Sequence, residues 1–99
     1  MGRNSGGSGA MNPGEMRTRL TTSTNKMLNS GGGKEATKAF TKVVNAMPMA
    51  NRKALMTSLE KKSKDHYNNR KAKLRNYEKW RAKDDGYRKM INIVDRKIK

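Results

Sequence analysis

The chain has 99 residues, 32% of them apolar, no cysteine, and 24 lysines and arginines against 8 acids, for a net charge of +16. These values exclude a disulfide framework, a thiolate metal site and a large self-sufficient core, and they limit the chain to one small domain. They also favour a polyanionic partner: nucleic acid first, an acidic protein surface second, an anionic membrane third.

No apolar run approaches the roughly 18 residues that span a bilayer, and no hydrophobic signal segment follows the N-terminus. A cytoplasmic location is the default expectation. The opening MGRNSG misses the myristoylation pattern, because Gly6 stands where serine or threonine belongs. Residues 1–11, MGRNSGGSGAM, read as a flexible glycine-rich tail or linker.

The first helix start is Asn12-Pro13-Gly14-Glu15, with Asn12 as cap, Pro13 in the first turn and Glu15 three residues beyond the cap. Behind it Met16, Leu20 and Met27 form a thin apolar stripe, interrupted by Ser23 and weakened by the β-branched threonines. Asn29-Ser30-Gly31-Gly32-Gly33 then breaks the chain. Residues 12–33 are therefore expected to be a weak helix and a glycine-rich linker ahead of a basic helical domain at 34–99. The GGGK run is not a phosphate-binding loop, since Leu28 replaces the first glycine and Glu35 the hydroxyl residue that would hold magnesium.

From Lys34 the periodicity sharpens. Ala36, Ala39, Phe40, Val43, Val44 and Met47 recur at helical spacing, and Pro48 stops the helix. Residues 49–83 read as one long helix: at 100° per residue Leu55, Leu59, His66, Tyr77 and Trp80 stay in phase, with Met56 and Leu74 beside them. Tyr87, Met90, Ile91, Val94 and Ile98 mark a last helix over 87–98, with Asp84 and Asp85 at its start and Arg96, Lys97 and Lys99 at its end. Leu74, Tyr77 and Trp80 are expected to pack against it. Tyr67, at the edge of the apolar arc, is the aromatic left open for stacking.

The fold expected is all-α, a small helical bundle or hairpin with one long central helix over 49–83 flanked by shorter ones. Lys62, Ser63, Arg70 and Lys73 make the middle of that helix's apolar face poor. Either it breaks near Asn68-Asn69, or the middle stays exposed; a homo-oligomer would cover what remains.

Between Lys61 and Lys83 lie ten basic residues and two acids. Solvated faces normally mix Glu with Lys, and this one does not. Lys71, Arg75, Lys79 and Lys83 repeat at i, i+4 and would cover about 18 Å of a straight helix. Lys64 lies on the same side, whereas Arg70 falls inside the apolar arc and must reach out past it. Arg52 and Lys53 offer a second contact near the free N–H groups of the helix start. A row of point charges matches phosphates rather than base edges.

His66 is the only histidine. Asp65 points about 100° away from it, and no strand-turn elbow activates Ser58 or Ser63. No catalytic residue, metal site or cofactor is expected. The function that follows is non-enzymatic nucleic-acid binding through the Lys/Arg stripe, with DNA and RNA both open. The alternative is an assembly component that recognises an acidic protein surface.

Overall fold

Asn12 begins the first helix as its sequence predicts, its side-chain oxygen accepting the Glu15 N–H at 2.7 Å. A computed structural model describes residues 12–99, so the tail expected over 1–11 lies outside the described residues. The order is α1 (Pro13–Ser30), α2 (Lys34–Ala46), α3 (Met49–Tyr67), α4 (Arg70–Arg75) and α5 (Tyr77–Ile98), with no strand among the described residues. The protein is all-α.

α1 is more than a weak lead-in. Met27 is fully buried in the common core, with Met16, Leu20 and Leu28 packed around it. Ser23, which interrupts the stripe, is also buried and donates to the Leu20 carbonyl at 3.2 Å, so its hydroxyl is satisfied on its own helix. The glycine run that follows is a defined turn. Gly31 and Gly32 hold φ of 66° and 80°, and the Gly32 N–H reaches back to the Met27 carbonyl at 2.8 Å. The Gly32 carbonyl then receives Thr37 Oγ1 at 3.2 Å and Lys89 Nζ at 3.1 Å, which ties the turn to α2 and α5.

α2 buries Ala36, Phe40, Val43 and Val44, and Met47 follows them into the core just past its end. Pro48, lacking an N–H, ends α2 and caps α3.

The helix expected over 49–83 does not run through. It breaks at Asn68–Asn69, one of the two expected outcomes, and again at Asn76. The segment expected to start near Asp84 begins instead at Tyr77, so Asp84 and Asp85 sit inside α5. α5 spans 22 residues, about 33 Å, and is the central element: α1, α2, α3 and α4 all pack on it. α3 runs antiparallel to it, with His66 beside Trp80 at one end and Arg52 beside Lys97 at the other. α1 also lies antiparallel to it, crossing at Gly86, where a Cβ would stand 2.5 Å from the Met27 carbonyl oxygen. Only glycine permits that approach. Phe40, Met27, Met90, Val44 and Val94 are the largest fully buried side chains. Each contributes roughly 1.5–3 kcal/mol by burial.

Candidate nucleic-acid interface

The corner where α3, α4 and α5 meet is built by three asparagines. The Asn68 and Asn69 N–H groups close the last turn of α3 on the Lys64 and His66 carbonyls at 3.1 Å each. The Asn69 side chain then caps α4 through the Ala72 N–H at 3.1 Å. Asn76 repeats the device, accepting the Lys79 N–H at 3.2 Å to start α5. Asparagine is poor inside a helix and among the best residues at its start, so Asn68 ends α3 and Asn69 begins α4, while Asn76 alone ends α4 and begins α5.

The reversal brings His66 against Trp80 in a reciprocal joint. Trp80 Nε1 donates to the His66 carbonyl at 2.9 Å, and His66 Nε2 bonds the Trp80 carbonyl at 2.8 Å. A carbonyl only accepts, so Nε2 carries the hydrogen. The rings stack at 5.3 Å between centroids and 21° between planes. Tyr67 and Tyr77 flank Trp80 at 6.2 and 6.1 Å, and Tyr87 lies 5.8 Å from His66. Lys73 Nζ stands 4.9 Å over the Trp80 ring, a cation–π contact that screens it from solvent. His66 acts here as a structural hinge pin.

The packing expected of the aromatics is corrected in part. Trp80 is buried, at 6% exposure, but Leu74, on the side of α4 that faces away from the bundle, is 86% exposed, and Tyr77, the first residue of α5, is 51% exposed. Tyr67, at 58%, is open as expected. Four of the five aromatic residues thus gather at one corner, two of them buried or half-buried and two exposed.

The basic residues are redistributed by the same turn. Arg75 on α4 and Lys79 and Lys83 on α5 line one cleft of about 180 Å³, with Trp80, His66 and Asn76 in its wall. Arg70 and Lys71 remain exposed on α4 outside that lining, and Lys64 lies on a different concavity beside Tyr67, Asp84 and Arg88. Lys53, the fifth residue of α3, is exposed and lies away from the corner.

Arg52 is removed from the phosphate-contact set. Its Nε donates to the Val44 carbonyl at 3.0 Å, one terminal nitrogen to Lys97 at 2.8 Å and the other to Asn45 at 3.2 Å. The guanidinium therefore locks the C-terminal ends of α2 and α5, where orphan carbonyls and helix dipoles favour a cation.

Electrostatically the cleft is open. Among the described residues the ion pairs are Glu15–Arg19, Asp84–Arg88 and Asp95–Lys99, each within one helix, and none involves Arg75, Lys79 or Lys83. A larger concavity of about 330 Å³ between α1 and α2 also carries cations, Arg19, Lys26 and Lys42. It is the weaker anion site: Arg19 is held by Glu15 at 3.3 Å, and Thr18 and Ser23 donate to carbonyls of their own helix.

Sequence reasoning missed Asn76 and the wall formed by His66 and Trp80. Asn76 carried a signal, since it stands directly before the regularly spaced Tyr77, Trp80 and Met90. No family model, curated protein or solved structure matches this chain.

Proposed function

We propose that the protein binds nucleic acid through its phosphates, without chemistry of its own, at the α4–α5 corner. The observation that carries this reading is the convergence of Arg75, Lys79 and Lys83 on one cleft, none of them in an ion pair among the described residues, in a chain of net charge +16. Cations without acid partners displace the counterions of a phosphate polymer, and that release drives association. Arg70 and Lys71, exposed on α4, extend the field along the approach to the cleft.

The test is fluorescence anisotropy with labelled duplex DNA, single-stranded DNA and RNA over a series of salt concentrations. The Arg75→Gln/Lys79→Gln/Lys83→Gln variant is compared with wild type after circular dichroism confirms its fold. Wild type should bind with a steep salt dependence, and the variant should lose about two to three units of the slope of log K on log salt. Equal, weak binding by both proteins at physiological salt would refute the proposal. A stoichiometric complex with an acidic protein, formed in its place, would identify the alternative partner class.

A further inference from the structure

We infer that the ligand of this corner is a single strand: Arg75, Lys79 and Lys83 take a phosphate while Tyr77, with Tyr67, stacks on exposed bases. This rests on the nucleic-acid reading above and narrows it to one class of polymer.

The shape of the cationic surface points this way. On an unbroken helix the basic residues would form a straight row, suited to the regular phosphates of a rigid duplex. The break at Asn76 wraps them around a small concavity instead, with Arg75 on one helix and Lys79 and Lys83 on the next. A concavity of about 180 Å³ holds individual phosphate groups, and a flexible strand can bend to follow cations set around it where a stiff duplex cannot.

The tyrosines give a second, independent argument. Tyr77 leans on Trp80 with 22° between the ring planes, yet half of its side chain stays open to solvent; Tyr67, on the neighbouring concavity at the other side of Trp80 from the cleft, is more exposed still. An exposed tyrosine braced from behind by a buried tryptophan is a rigid π surface whose ordering cost is already met by the fold. Bases inside a duplex are stacked on each other and out of reach of such a surface, whereas bases of a single strand are free to use it. Lys73, over the Trp80 ring, adds a cation at the same edge.

Trp80 is the only tryptophan, so its fluorescence reports the corner directly. The experiment titrates the full chain with a labelled single strand, the same strand paired with its complement, and an abasic strand of equal phosphate count. Tyr77→Ala and Tyr77→Phe are compared with wild type, the phenylalanine variant keeping the ring and guarding against loss of fold. The expected result is tighter binding of the single strand than of the duplex, with a change in Trp80 emission. Tyr77→Ala should weaken the base-containing strand by about 5- to 150-fold and the abasic strand hardly at all, and Tyr77→Phe should retain affinity. Salt-dependent binding of duplex and single strand alike, indifferent to Tyr77→Ala, overturns the single-strand inference and leaves phosphate binding standing. Failure of all three probes to bind overturns both.

Discussion

Replacing Gly86 with alanine should destabilise the protein, although the same change inside most helices stabilises it. Glycine in a helix interior costs roughly 0.5–1 kcal/mol relative to alanine, so propensity alone predicts a gain. At Gly86 the new methyl would meet the Met27 carbonyl oxygen at 2.5 Å, the Met27 carbonyl carbon at 2.9 Å and Leu28 Cα at 3.1 Å. These are backbone atoms and cannot rotate away. Ordinary contact begins at 3.4 Å, so α1 must withdraw by the difference, about 0.9 Å. A gap of that size forfeits a quarter to a half of the dispersion contact between the separated surfaces. It also opens beside Met27, which is fully buried. Overpacking of this kind costs about 1–3 kcal/mol against a propensity gain of roughly 0.5–1 kcal/mol, so the net loss lies within about 0–2.5 kcal/mol, toward the upper end because the contacted atoms are backbone. For a domain of this size, the melting temperature should fall by up to about 20 °C.

Gly14→Ala is the internal control. Its Cβ would meet only Asn12 Oδ1, at an ordinary 3.5 Å, so the helix-propensity term acts alone and stability should rise by up to about 0.5–1 kcal/mol. Thermal and urea unfolding followed by circular dichroism measure both variants. A Gly86→Ala protein as stable as wild type, or stabilised alongside Gly14→Ala, would refute the close α1–α5 crossing.

Arg52→Ala should lower stability by roughly 1–3 kcal/mol in urea unfolding, since three helix-end carbonyls lose a charged donor. It should leave the salt slope of nucleic-acid binding within one phosphate contact of wild type; a larger change would return Arg52 to the contact set. Burial raises the Tyr87 pKa above 10.0, so the folded state holds this proton more tightly than the unfolded chain. Its contribution to stability is complete below 10.0 and is lost as pH rises through the raised value. The urea midpoint should therefore drop across that alkaline range, and less so in Tyr87→Phe.

α2 was fully legible, because six apolar residues at helical spacing between a glycine run and a proline leave one solution. The Asn12 cap and the apolar face of Met90, Ile91 and Val94 were legible for the same reason. The continuity of 49–83 was not. Periodicity reports which face of a segment is apolar, and an antiparallel pair buries the facing stripes of both helices just as a single helix buries one. Leu59 and His66 share a face of α3 and Trp80 lies on α5, and a helical count carried from one to the other across the intervening turns does not test whether the helix continues. Gly86 was missed for a related reason: a close backbone crossing leaves no mark in apolar spacing. At the candidate site, Arg75, Lys79 and Lys83 were identified from their charge pattern, whereas the shape that gathers them depends on where Asn76 breaks the chain. Arg52 shows the limit of reading charge alone, since an arginine serving three carbonyls looks the same in sequence as one facing solvent.

What sets the break can be decided by magnitude. In a continuous helix His66 and Trp80, fourteen residues apart, would be separated by about 21 Å. Folding back at Asn68–Asn69 and Asn76 brings their rings to 5.3 Å and buries Trp80. Burying an aromatic side chain of this size contributes at least about 3 kcal/mol, and each asparagine cap adds about 1 kcal/mol. Relief of like-charge repulsion is far smaller: the break at Asn76 parts only the Arg75–Lys79 pair, worth roughly 0.2–0.5 kcal/mol, while Lys71–Arg75 stays within α4 and Lys79–Lys83 within α5. The density of cations therefore does not bend the chain. Trp80 and the asparagines bend it, and the concave cluster of Arg75, Lys79 and Lys83 follows from where that bend falls in a sequence that is basic on both sides.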